Sequence, residues 1–588
     1  MEINSVYIQS GGGSIIIGTD GTGAILWHPY LQKFKQFRHD PDDPSSLGLS
    51  SVRAVHEDRE GNLWIGGYAG LDKYDRRSEK FIHFFDRGDY TKSIPGAVLV
   101  FCEDFDEPFK TLWMGTEAHY LIKFDLSTET VTRYPLLHEN TGTPLARSFR
   151  AVLCDESGFI WIGTQNGIFT FDKYRERFNF YKPSLNGSDY SGHLSVNVIY
   201  ESKFGYLWIG TADRGLFRLD RDSGSFKHYN FHPEGDESSG LNNILTLHED
   251  QEGLLWIGTL GGGLVRLESI SGKYRFYTET HGLSNNVVYG ILEDEKGHLW
   301  LSTNKGLSKF DLKEEIFTNY GVEDGLQGLE FNYNAYHKSR SGQMFFGGVR
   351  GFNAFYPENV EKNPFISPVV ITNFQVFNTP IKAGESRNGR ILFKKSISDT
   401  EKITLSHKDK VISFEYAALQ YAAPGKCEYA HVLEGLETEW NYVGNRRFAS
   451  YSNLSPGKYT FRVKAANNDG IWNETGTSVD VVITPPFYGT WWFRIIALGG
   501  VLLLILMIYE IRTHSIKKRS RELEKINTEL NKQITERVKA EQALRENEER
   551  LKLLFDFAPD AYYLTDLEGT YIDCNKKVEE ITGYEKRN

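Results

Sequence analysis

The feature that most constrains this chain is a five-residue core, an apolar residue, Trp, an apolar residue, Gly and Thr, that returns at nearly constant spacing. It reads LWIGG at Trp64, LWMGT at Trp113, IWIGT at Trp161 and LWIGT at Trp208 and Trp256, and it decays to LWLST at Trp300. Two further copies keep the frame without the Trp, IIIGT around Ile16 and MFFGG around Phe345. Successive key positions are 48, 49, 48, 47, 48, 44 and 45 residues apart, a period that belongs to strand-built arrays rather than to one grafted site.

The copy at 247–267 shows the strand logic. Asp250 and Gly253 bracket a hairpin turn, because Asp bonds its own backbone and Gly accepts a positive φ. Residues 254–259 make the next strand, Gly261, Gly262 and Gly263 turn it back into 264–267, and 274–278 supply a fourth. Four strands per repeat predict a propeller blade. A Trp at the same place in each blade is expected to fill the wedge between neighbours rather than to stack a sugar or a base. The repeated Asp and Gly are expected to serve the turns.

Composition fits a mainly β, multidomain chain: 588 residues, 14% aromatic, with 56 Gly. A formal charge of −11 and a pI near 5.9 point away from a nucleic-acid partner. Cys102, Cys154, Cys427 and Cys574 are scattered without a CxxC, so neither a disulfide framework nor a zinc site is readable.

Phase and pattern divide the chain. Residues 33–357 are expected to close as a seven-bladed ring, with 33–39 supplying the last blade's fourth strand; 1–32 are the remnant of a preceding blade. Between 365 and 485, alternation in Tyr459, Phe461, Val463 and Ala465 after a Pro456–Gly457 turn predicts an immunoglobulin- or fibronectin III-like sandwich. Residues 487–510 hold twenty-three residues from Phe487 to Tyr509 with one charge, Arg494, enough to cross ~30 Å of hydrocarbon as a helix. Trp491, Trp492 and Tyr509 sit where an aromatic belt belongs. Arg512, Lys517, Lys518, Arg519 and Arg521 follow the span, and 465–493 hold no Lys or Arg, which places the carboxyl side in the cytoplasm. The amino terminus shows no signal-peptide pattern, so the chain is expected to lack its natural beginning.

Residues 511–552 carry Ile516, Leu523, Ile526, Leu530, Ile534, Val538, Leu544 and Leu551 mostly three, four or seven apart among charged residues, the stripe of a parallel coiled coil with a stutter, and hence of a homodimer. Residues 553–588 resemble the start of a PAS domain, truncated, with Asn575 capping a helix that ends at Gly583.

Taken with "NLSPGKYTFRVKAANNDG" and "PPFYGTWWF", the order of blades, sandwich, span, coil and PAS start resembles the two-component regulator propeller sensors, of the hybrid histidine kinase type. Their sandwich is named for three tyrosines, for which Tyr429, Tyr451 and Tyr459 stand here. The resemblance implies an unknown extracellular ligand, a carbohydrate being the usual class, a lipid bilayer, a homodimer, and a response regulator reached through the missing kinase part. It implies a single-pass protein of the bacterial inner membrane, with 1–486 outside and 511–588 in the cytoplasm. A diguanylate cyclase output is the alternative, and an extracellular propeller lyase a weaker one.

No catalytic residues, metal site or cofactor are expected. His514 lacks the acidic neighbour and following Pro of a kinase phosphoacceptor motif, and His56 and His248 precede Glu-Asp at strand ends without HExxH, Walker or nucleotide-binding glycine patterns. Ligand-binding residues stay unassigned; the ligand is expected at the mouth of the propeller channel.

Overall fold

The structure is a computed structural model that describes residues 3–8, 14–21, 23–28, 30, 32–68, 70–84, 94–138, 140–181, 184–185, 188–189, 194–221, 223–231, 240–387, 389–421 and 423–584. The outer ends of the expected remnant blade and PAS segment, residues 1–2 and 585–588, lie outside the described residues.

Seven sheets follow one another, antiparallel apart from one short parallel edge pair in the fourth, with inner strands Val52–Glu57, Val98–Glu103, Phe149–Cys154, Val196–Glu201, Ile244–Glu249, Val288–Glu293 and Phe331–Lys338. Each inner strand contacts the next, and the seventh contacts the first. The seventh sheet is completed by Lys35–Phe37, which pairs antiparallel with Gly351–Phe355. The ring is therefore fastened by chain from its own beginning. Val52 and Ile65 of the first sheet share a core with Phe345 and Phe352 of the seventh, so no eighth sheet lies between them. Ile3–Ile8, Ile15–Thr19 and Gly23–Trp27 make a separate three-stranded sheet whose Ile3, Tyr7 and Ile8 are exposed.

The Trp row is core. Trp64 packs with Val98, Leu112, Met114 and Phe124 of the following sheet, and Trp208 with Ile244, Leu255 and Ile257 of its own follower. The motif glycine has a role beyond turns: a Cβ on Gly66 would lie 2.8 Å from Val98 Cβ, and one on Gly347 2.5 Å from a Val52 methyl. It is the gap that lets the next inner strand approach.

The sandwich has a sheet of Val369–Val376, Thr379–Pro380, Val411–Ala418 and Phe448–Ser452, and another of Lys402–Ser406, Thr477–Thr484, Gly457–Ala466, Glu428–Glu434 and Asn441–Gly444. Phe414 and Phe461, one from each sheet, stack at 4.1 Å between centroids. Two ion pairs of opposite sense join the sandwich to the ring: Lys33 to Asp469 at 2.6 Å, and Lys426 to Asp324.

A second compact unit contains the helix Trp491–Asp556 and the PAS segment. The helix runs 66 residues without a break, about 100 Å at 1.5 Å per residue. Its apolar end is long enough to cross a membrane. After it, Tyr563–Thr565 pairs with Tyr571–Cys574, and Asn575 caps Lys576–Thr582 by accepting from the Val578 amide.

Candidate functional site

The turn aspartates do more than close hairpins. Asp250 Oδ1 accepts from the Glu252 and Leu254 amides at 3.0 and 2.9 Å, while its Oδ2 accepts from the Trp256 indole at 2.7 Å. The same indole-to-carboxylate bond joins Trp64 to Asp58, Trp113 to Asp104, Trp161 to Asp155 and Trp300 to Asp294. In the fourth blade Ser202 replaces the aspartate while Trp208 stays, and in the seventh both partners change, to Ser339 and Phe345. One charged, buried acceptor thus fixes the turn and orients the wedge residue, which leaves these carboxylates committed to structure.

The inner strands share a second repeated device near their starts. Six inner strands carry a β-bulge at their second position, at Arg53, Leu99, Arg150, Asn197, Leu245 and Tyr289. A bulge re-aims one side chain without ending the ladder, and bulges recur beside functional sites. The seventh inner strand departs further: Phe331 pairs with Gly348 and Tyr336 with Phe346, so 332–335 oppose a single residue.

That excursion crosses the channel. Asn334, at φ 61°, donates from Nδ2 to the Arg150 carbonyl at 2.7 Å, and the Tyr336 hydroxyl bonds Thr246 Oγ1 at 2.7 Å. A non-glycine residue in left-handed backbone costs free energy and persists where its surroundings over-determine it. Here, bonds to the third and fifth blades hold it.

Along the axis lies a cavity of about 200 Å³ lined in part by His56, Phe101, Tyr200, Asn334, Tyr336 and His337. The His56 and His337 rings meet at 5.0 Å, and His56 Nε2 has no hydrogen-bond partner. Burial, then the Arg340 charge, pushes His56 down to about 4; burial, then His56 and Arg340, pushes His337 down to about 3. Both are therefore neutral near pH 7. They do not meet a third ligand, and among the described residues no group of three His, Cys, Asp or Glu could hold a metal.

At the mouth, the Arg53 guanidinium lies over the rings of Tyr68 and Tyr333, at 5.3 and 4.8 Å, and Nη1 donates to Asn332 Oδ1 at 3.4 Å. Arg150 Nη1 donates to Asn197 Oδ1 at 3.0 Å and Ser195 Oγ at 3.4 Å. The sequence signal for both is the repeated Arg-Ala-Val at 53–55 and 150–152.

Of the histidines weighed from sequence, His248 bonds Glu293 at 3.0 Å, His56 lies in the channel, and His514 is exposed on the long helix. Tyr429 and Tyr451 are buried, Tyr429 accepting from the Ala418 amide and Tyr451 bonded to His431 Nδ1 at 3.0 Å, whereas Tyr459 is half-buried. The tyrosine that shares their cluster is Tyr416, 5.4 Å from Tyr429. One cysteine pair not readable from spacing is joined here: Cys102 and Cys154, on adjacent inner strands, form a disulfide with Cα atoms 6.0 Å apart. Their separation of 52 residues is one blade, and it hides the contact in the sequence.

Profiles of known families match three parts of the chain. The Two component regulator propeller matches 46–69, 238–261 and 282–305, the Y_Y_Y domain 420–484, and a PAS domain 549–588. Histidine kinase P4 of Formosa agariphila is 32% identical over 257 residues, covering 44% of this chain and 18% of that protein. A crystal structure assigned to the extracellular domain of the hybrid two component system BT3049 of B. thetaiotaomicron aligns with a TM-score of 0.67 and 26% identity, over 82% of this chain and 62% of that one. The chain thus spans less than two thirds of both relatives. Three of its blades thus match two-component regulator propeller repeats, and after the ring the chain carries a segment matching a Y_Y_Y domain, a helix apolar enough to cross a membrane and a segment matching a PAS domain.

Proposed function

We propose that this chain is the ligand-sensing and transmembrane-signalling portion of a two-component sensor histidine kinase. The observation that carries the reading is the single helix Trp491–Asp556, which joins an apolar span to the PAS segment with no intervening loop. A displacement at one end of an unbroken helix reaches the other. The named activity of the Formosa relative and the extracellular assignment of the Bacteroides structure support the same reading.

In this proposal the propeller and Y_Y_Y domain, 1–486, face the exterior of a bacterial inner membrane, and 511–588 lie in the cytoplasm. The basic cluster after the span and its absence from 465–493 support that orientation. The stripe of the coil is exposed in the single chain, with Leu523 at 66% and Leu530 at 51%, and a second copy would cover it. Ligand binding at the propeller mouth shifts the population between two arrangements of the dimer, and the helix pair carries the shift towards a kinase and its response regulator.

Crosslinking tests the shared helix. Single cysteines at Leu523→Cys and Leu530→Cys should give strong dimer bands in membranes, and Lys525→Cys on the charged face should not. Equal bands at all three positions would remove the parallel coil from the account.

A further inference from the structure

Arg53 and Arg150, like Arg218 and Arg266, lack the ion pairs that hold several other arginines of the ring. Arg59 pairs with Glu103, Arg76 with Glu57, Arg221 with Glu201 and Arg275 with Glu315. Neither mouth arginine has a carboxylate within 4.0 Å among the described residues; their acceptors are the neutral Asn332, Ser195 and Asn197. What sets the pair apart is position: both stand at the bulge near the start of an inner strand, and Arg53 Nε is left buried without an acceptor.

The stacking on Tyr68 and Tyr333 has a chemical consequence. A guanidinium lying over aromatic rings keeps its N–H donors in its own plane, at the rim, and the terminal pair of nitrogens matches the two oxygens of a carboxylate or sulfate. Asn332 occupies Nη1 only through a long contact of 3.4 Å. The strand excursion also links the two arginines, since Asn332 meets Arg53 and Asn334 meets the Arg150 backbone. Glu330 is the acid in this neighbourhood; it is exposed and forms no ion pair with Arg53.

We infer that the propeller mouth recognises an anionic group, a carboxylate or sulfate, on its ligand, with Arg53 as the principal anchor, Arg150 as a second cation, and Tyr68 and Tyr333 as the walls that orient the guanidinium. The inference rests on the mouth being the sensing face. It concerns binding alone, so it is tested without reference to signalling. A sugar acid and a free inorganic anion present the same chemistry to Arg53.

The test is calorimetric titration of the full chain in detergent micelles with cellobiouronate, cellobiose and sodium sulfate. Cellobiouronate should bind at least ten-fold more tightly than cellobiose. Arg53→Gln should abolish that difference, and Arg53→Lys, which keeps the charge but loses the two-pronged rim, should retain a part of it. Sulfate that binds and competes makes the free anion sufficient; sulfate that does not compete assigns the specificity to the sugar acid. The melting temperature of each variant should stay at the wild-type value, and Arg53→Lys carries the comparison if Arg53→Gln does not fold. Equal binding of cellobiouronate and cellobiose, an unchanged Arg53→Lys, or no binding by either anion would overturn the inference. None of these outcomes bears on the coil crosslinks, so the two readings fail separately.

Discussion

The bond between Trp256 and Asp250 gives a sharp energetic test of how the blades are held. Trp256 is 2% exposed and Asp250 3%, and the indole donates to the carboxylate at 2.7 Å. A hydrogen bond to a charged group contributes about 1.5–3 kcal/mol, and deleting one partner leaves the other buried and unsatisfied. Asp250→Ser keeps an acceptor for the turn amides, as Ser339 does for the Gln343 amide at 2.9 Å in the seventh blade. Trp256→Phe keeps the ring, as Phe345 does. Each single change should therefore cost about 2–3 kcal/mol, the Phe variant slightly more because it also removes apolar area. The double variant recreates the pairing that the seventh blade uses, and it should cost about 1.5–3 kcal/mol less than the sum of the singles. Urea unfolding of the four proteins in one detergent, followed by far-ultraviolet circular dichroism, measures the coupling. A coupling below about 0.5 kcal/mol would refute the claim that the indole and carboxylate act as a unit.

Two further perturbations address the channel and the ring–sandwich joint. His56 falls from about 6.5 unfolded to about 4 folded, so between those values the unfolded chain binds a proton that the folded chain does not, and stability should fall as pH is lowered through that window, by at most about 3 kcal/mol. His337 acts in the same direction; thermal midpoints from pH 7 to 4.5 should drop less in His56→Asn than in wild type, with Arg340, Arg59 and Glu103 as the charged groups around the site. Lys33 and Asp469 have side chains only 4% and 7% exposed, so Lys33→Ala strands a buried carboxylate at a cost of about 3–5 kcal/mol. Limited trypsin digestion should then cut faster in the linker 356–368, and unchanged cutting would show that this pair does not hold the joint.

The parts of the fold that were legible in the sequence are those that repeat. The blade period, the Trp wedge and the Asp-Gly turns recur often enough that one copy explains the next, and Lys35–Phe37 was findable because the last blade is one strand short. Features built from one residue in each blade were not. Asp250 was legible as a turn former but not as the acceptor for an indole six residues on, since the same residue satisfies both patterns. The bulge ring escaped because alternation continues on either side of Arg53 and Arg150, although Arg-Ala-Val twice over was visible. The channel crossing lay in the extra length of Phe331–Lys338, eight residues where the other inner strands have six. The Cys102–Cys154 bond and the Tyr416–Tyr429 contact join strands of different sheets, a packing that spacing alone does not reveal.

The proposed function requires above all that the chain cross a membrane once, with the propeller and Y_Y_Y domain outside and the coil inside. Single cysteines at Thr475→Cys in the sandwich and Lys539→Cys on the helix, both exposed, in a background with Cys574 replaced by Ser, report this directly. Intact cells are treated with a membrane-impermeant maleimide, before and after permeabilisation of the inner membrane. Labelling at 475 should occur in intact cells and at 539 only after permeabilisation; labelling of both positions on the same side of the membrane would contradict the proposed topology.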